Sequence, residues 1–241
     1  MTPSILALAA ATLVVAVAAL AQSATGSGFS VIAAPLLLVI DPVLVPGPLL
    51  LLTLVVMASV VWRERAGLRH VDLGWAAVGA VPAAIGATWL VPVLDERTTA
   101  LVLGLFVTVS VVAGLAGWSV RQNRATLTVS GALGGALGTI AATPGPPVIV
   151  VYQQPDVTRY RANLSAFFFV TSAVSFVSLL ASGGTGAHDA VTAAALLPGL
   201  ALGIVAAQVL VPRMPARWVR PGALALCLVS GVSLLVSAAT A

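Results

Sequence analysis

Thr143-Pro144-Gly145-Pro146-Pro147 stands in the middle of an apolar stretch running from 126 to 154, and Thr25-Gly26-Ser27-Gly28 interrupts another between 5 and 40. Proline removes backbone donors and glycine loosens a helix, so each stretch reads as a broken helix or a hairpin. Outward from these two breaks, uninterrupted apolar runs fall at 43–62, 72–93, 98–119, 162–181, 189–211 and 218–239. Runs of about 20 residues match the thickness of bilayer hydrocarbon. Hydrocarbon offers no partner for backbone polar groups, so the runs must be helices. The fold expected is an all-α polytopic membrane protein.

Composition agrees. The 241 residues are 60% hydrophobic and 7% charged, with a mean hydropathy of +1.11. Soluble domains carry roughly 25% charged residues, so this surface is built for lipid rather than water. One cysteine, Cys227, excludes a disulfide scaffold. All 11 basic residues are arginine, and the net charge of +4 reads as a topology signal rather than nucleic-acid affinity. Met1-Thr2-Pro3-Ser4 carries no charge, so the first apolar segment is expected to stay as a helix and not to act as a cleaved signal. The Arg-only, Ala-rich composition suggests a GC-rich bacterial genome, and the location expected is the bacterial inner membrane.

Arginine placement decides between the two readings of the interrupted stretches. If both crossed straight through, the arginines would divide 5 to 6 between the faces, against the positive-inside tendency. If each turns back to its starting side, ten arginines share one face and only Arg97 lies opposite. The hairpin topology follows, with both termini outside. A shift of 117 residues then puts Gly28 on Gly145, Val31-Ile32 on Val148-Ile149 and Gly86 on Gly203. Two halves emerge, 1–124 and 125–241. Each is a broken or re-entrant hairpin (about 5–40 and 126–154) followed by three transmembrane helices. Such halves are inverted repeats, an architecture of secondary transporters.

A helix that restarts inside a membrane points its unpaired amides and positive dipole end into whatever cavity exists. Together with hydroxyls, those amides suit an oxyanion. Thr25, Gly26, Ser27, Gly28, Phe29 and Ser30 at the first break, and Thr143, Pro144, Gly145, Pro146 and Pro147 at the second, are therefore candidate substrate-binding residues. Arg159 and Arg161 precede the run at 162–181, with Asn163 and Ser165 just inside it; guanidinium binds anionic oxygens bidentately, so Arg161 is the candidate cationic ligand, with Asn163 beside it. Gly131, Gly134, Gly135 and Gly138, and Gly199 with Gly203, form small-xxx-small patterns that read as close helix packing. No Asp, Glu or His lies mid-segment, which gives proton coupling no direct support. His70, His188 and Cys227 fall too far apart for a metal site, and no nucleophile–base pair or nucleotide loop can be assembled, so an enzyme is not expected.

The chain resembles the TauE/SafE family of sulfite-exporter-like permeases. Gly26-Ser-Gly-Phe-Ser-Val-Ile-Ala-Ala-Pro35, Trp62-Arg-Glu-Arg and Arg69-His-Val-Asp72 look like its first half. Gly145-Pro-Pro-Val-Ile-Val-Val-Tyr152 and Arg161-Ala-Asn-Leu-Ser-Ala-Phe-Phe168 look like its second. Ser27, Phe29 and Ser30 stand where many members have a glycine run. The resemblance implies transport of a sulfur-containing anion such as sulfite or an organosulfonate, generally as export. A passive anion channel and a non-transporting membrane scaffold are the alternatives. The partners expected are a small anionic substrate and the lipid bilayer, with no cofactor; the coupling ion and any homo-oligomer stay open.

Overall fold

A computed structural model describes residues 5–25, 28–115, 120–152, 154–210 and part of 225–239. Every regular element among the described residues is helical. In chain order they are α1 (Ile5–Thr25), α2 (Phe29–Ile40), α3 (Gly47–Arg63), α4 (His70–Ala87), α5 (Glu96–Leu115), α6 (Arg124–Ala141), α7 (Gly145–Val151), α8 (Val157–Ala181) and α9 (Ala187–Leu210). Three of these, over Ile5–Ser23, Thr158–Ala181 and Ala187–Leu210, are long and apolar enough to cross a membrane. The expected run at 218–239 lies largely outside the described residues; of it, Gly231 packs on Val107 and Thr108 of α5.

Local chemistry moves several boundaries from those expected. The run at 72–93 stops being α-helical at Ala87 and continues as turns, because Pro92 has no amide and disfavours helix at Val91. The run at 43–62 starts late. Asp41 accepts from the Val43 amide and caps a single 3-10 turn, and α3 then opens on Gly47-Pro48, where the missing proline donor costs nothing. Helix α8 starts early, at Val157, because Asp156 accepts from the Arg159 amide as its N-cap. Arg159 and Arg161 therefore stand inside α8 rather than ahead of it. Asp95 takes hydrogen bonds from Thr98, side chain first, at the start of α5, and they hold its carboxyl below the ordinary range.

The second interrupted stretch folds back on itself: Gly134 of α6 lies against both Pro144 and Val148. The first does likewise. Gln22 of α1 reaches the Phe29 amide of α2, and α2 then runs back to the end of the molecule where α3 and α9 begin, marked by Asp189 against Gly47.

Helix pairing is governed by the glycines. On α6, Gly131 and Gly135 lie against the carbonyls of Ala76 and Ala80 on α4, and Gly79 of α4 lies against Thr128. On α9, Gly199 and Gly203 lie against the carbonyls of Thr12 and Ala16 on α1. A Cβ at any of these positions would collide with backbone, so the small-xxx-small patterns do what was expected of them and bring helices into backbone contact. Both pairs run parallel. Helix α3 packs antiparallel on α8, with α4 against α8 and α3 against α9. This arrangement gathers Arg63, Arg65, Arg69, Arg124, Arg159 and Arg161 at one end. Trp62 and Trp75 at that end stack under Arg65 and Arg124, and Trp89 is exposed at the other, as interfacial aromatics do.

Candidate functional site

The first break lies near the arginine-rich end rather than at mid-depth. Helix α1 has 21 residues, about 31 Å of helix, before it is interrupted. Gln22, fully buried, accepts the Phe29 amide at 3.0 Å and points its own amide at the sulfur of Met57. One of the donors expected to face substrate at the start of α2 is thus already capped from within the chain. Gly28, Phe29 and Ser30 are buried. Gly26, Ser27 and the Thr25 side chain lie outside the described residues.

At the second break the chain turns at Ala142, which takes the left-handed conformation (φ 53°), and the amides of Ala142 and Thr143 both return to the Leu137 carbonyl. These bonds satisfy the carboxyl end of α6. Pro144, Pro146 and Pro147 carry no N–H, so Gly145 supplies the one amide between 144 and 147. The two breaks meet here. The Thr143 hydroxyl donates to the Ala141 carbonyl at 3.0 Å and reaches the Ser30 carbonyl at 3.4 Å. A Cβ on Gly145 would touch Ile149, Phe168 and Val31 at 3.4–3.5 Å, which is ordinary van der Waals contact. Tyr152, also buried, closes α7 and stacks on Tyr160 at 6.0 Å.

Arg161 sits at the edge of this junction. One nitrogen of its guanidinium contacts Glu64 at 3.0 Å and donates to the Ser23 carbonyl at 3.1 Å, tying α8 to the ends of α3 and α1. The pair is uneven: Arg161 Nε and Glu64 Oε2 are both buried and have no hydrogen-bond partner. Arg161 and Glu64 face a cavity of about 370 Å³, lined also by Ser23, Arg63, Ile204, Ala207 and Gln208. A volume of that order suits a small ligand. Asn163 is placed differently. Its side chain donates to the carbonyls of Gly67 and Arg159 and accepts the Arg69 amide, so its hydrogen-bonding capacity is spent on bracing the loop after α3.

Two features lay beyond sequence reasoning. Glu64 stands within the Trp62-Arg-Glu-Arg motif and Gln22 three residues ahead of the first break, but only their positions in space identify a cap and a counter-charge. The second feature is a set of buried hydroxyls on α8. Ser165, Thr171, Ser172 and Ser175 are at most 1% exposed, and Ser175 Oγ lies 2.8 Å from Thr139 Oγ1 of α6. The signal that could have found them is spacing: 165, 172 and 175 share the face of Arg161 on a helix.

Comparison with known proteins bears on what this arrangement is for. The family described as "Sulfite exporter TauE/SafE" matches residues 11–234. A curated relative, the "Probable inner membrane transporter protein TsaS" of Comamonas testosteroni, is 28% identical over 187 residues, covering 70% of this chain and 76% of its own. No solved structure matches significantly. The chain belongs to the TauE/SafE family of membrane transporters and is a multi-pass inner-membrane protein.

Proposed function

For a member of the TauE/SafE family, we propose transport of a small sulfur-containing oxyanion, sulfite or an organosulfonate, out of the cytoplasm. The substrate binds to Arg161 in the cavity at the arginine-rich end and passes the junction of the two breaks. The observation that carries this reading is the half-used guanidinium. Arg161 holds one carboxylate oxygen and one carbonyl, while its Nε is buried without a partner beside the cavity. A planar fork is suited to two oxygens of one anion, and a substrate anion that displaces Glu64 would engage it so. The arginine-rich end is then cytoplasmic, with the termini outside.

The same reading takes 1–124 and 125–241 as inverted repeats. Its support is the exchange of partners: α1 packs on α9 as α4 packs on α6, both parallel, and α3 packs antiparallel on α8 between them. Those are the contacts expected when the first and fourth helices of each half change places about a two-fold axis. The junction of Ser30 and Val31 with Thr143 and Gly145 then lies near that axis. Asn163 serves this site as a brace, through Gly67 and Arg69.

The direct test is flux in proteoliposomes of purified protein, loaded in turn with sulfite, ethanesulfonate, sulfate and acetate, with and without imposed ion gradients. Saturable efflux of the sulfur anions, lost in Arg161→Ala, is expected. Equal flux of all four anions without saturation indicates a passive channel and overturns the transporter reading. No flux of any leaves a scaffold.

A further inference from the structure

Arg161, Ser165, Phe168, Ser172 and Ser175 fall within an arc of about 80° on α8, at 100° per residue, and so form one face of that helix. On several other helices buried or half-buried hydroxyls satisfy themselves, although Thr108 of α5 does not. Thr12, Ser23, Thr53 and Thr128 donate to the carbonyl four residues back, and Ser59 and Ser130 to the one three back. On α8 the pattern fails. The hydroxyls of Ser165, Thr171 and Ser172 are buried and have no hydrogen-bond partner. Three such groups within two turns of one helix are a cost that a stable core avoids, and mid-helix Ser and Thr have an easy remedy in the preceding turn. The remedy is not taken, which leaves three donors available to something else.

Their places in the fold define a line. Ser165 is one helical turn from Arg161 and its cavity. Phe168, the next residue on that face, puts its ring against Gly145 at the second break. Thr171 presses its methyl against Gly138 of α6, and Ser175 meets Thr139 one turn further on.

We propose that Ser165, Thr171 and Ser172 are substrate-binding residues, a ladder of hydroxyl donors along which the oxyanion leaves Arg161 and passes the second break. This rests on the anion-transport reading above. An anion entering a buried passage gives up water, and hydroxyl donors replace that hydration without the deep trap that a second cation would create. Phe168 stands between Ser165 and Ser172 as the constriction.

The test uses single cysteines at 165, 172 and 23 in the full-length chain with Cys227→Ser, reconstituted in liposomes. The probe is methanethiosulfonate ethylsulfonate, itself a small organosulfonate that does not partition into lipid. Val177→Cys, on the exposed face of α8, is the control. Ser165→Cys and Ser172→Cys are expected to be modified, at rates slowed several-fold by excess ethanesulfonate, while Val177→Cys is not. Ser165→Ala/Ser172→Ala is expected to raise the KM for ethanesulfonate efflux about tenfold with insertion unchanged. The ladder is overturned if Ser23→Cys reacts while 165 and 172 do not, or if both react with no protection by ethanesulfonate. Absence of ethanesulfonate flux in the unmodified protein, with Ser23→Cys also inert, strikes the anion-transport reading itself.

Discussion

Glu64 is an anion that this protein already holds against Arg161, and a substrate anion has to compete with it. Glu64→Gln removes the charge while keeping the shape and an oxygen able to accept from the guanidinium. The side chains of the pair are 20% and 16% exposed, so the pair lies between a surface bridge, worth about 0.2–1 kcal/mol, and a buried one, whose rupture costs about 3–5 kcal/mol. A single charge-assisted contact at 3.0 Å, with Nε and Oε2 unused, belongs near the lower part of that interval, about 1.5 kcal/mol. Relieving the competition by that amount tightens ethanesulfonate binding about tenfold. Isothermal titration of the detergent-purified protein measures it, with the unfolding midpoint as a check that the variant is intact. Equal or weaker binding by an intact Glu64→Gln protein refutes the competition, and with it the claim that substrate and Glu64 share Arg161.

Arg161→Lys replaces a fork with a point charge and is expected to weaken ethanesulfonate binding about ten- to a hundredfold, a loss of about 1.5–3 kcal/mol, while Arg65→Lys, exposed over Trp62, leaves the same titration unchanged. Gly145→Ala fits its site at ordinary contact distance and should transport, whereas Gly145→Leu drives extra carbons into Phe168 and Val31 and should stop flux with insertion unchanged; normal flux in both reduces the break to a kink. Gly135→Ala puts a methyl group into the Ala80 carbonyl, strains the Thr139–Ala84 bond and is expected to cost about 2–4 kcal/mol of stability in a denaturing-detergent titration; wild-type stability would disprove the α4–α6 contact. Asn163→Ala should lower stability by about 1–3 kcal/mol and leave anion affinity intact, and a variant that is stable but has lost affinity would return Asn163 to the binding site.

Sequence reasoning reached the helices and both interruptions because those depend on local physics. A 20-residue apolar run has one low-energy backbone in hydrocarbon, and a Pro-Gly-Pro-Pro segment cannot continue it. The packing role of Gly131, Gly135, Gly199 and Gly203 was legible for the same reason, since their spacing places them on one helix face. Boundaries were less so. Asp156 lengthens α8 through one hydrogen bond and Pro92 shortens α4 by lacking a donor, and a hydropathy run registers neither.

The chain's own residues, read in order, determined that this protein lives in a membrane, that it is helical, that its two interrupted stretches match at a shift of 117, and that one end gathers its arginines. Only tertiary structure decided how the candidate site is assembled. Phe29 reads as a free amide donor until Gln22 is found folded onto it, and Arg161 reads as an open cation until Glu64 and Ser23 are found beside it. Asn163 and Arg161 are two residues apart in sequence, yet one braces a loop and the other faces a cavity, because successive helical positions point about 100° apart. The decisive contacts join residues 113 and 138 positions apart, Ser30 with Thr143 and Ser23 with Arg161. At such separations the covalent chain carries no information about who meets whom. Whether a buried polar group is free or spent is settled by the neighbour that packing brings within 3 Å, and that neighbour exists only once the helices have docked.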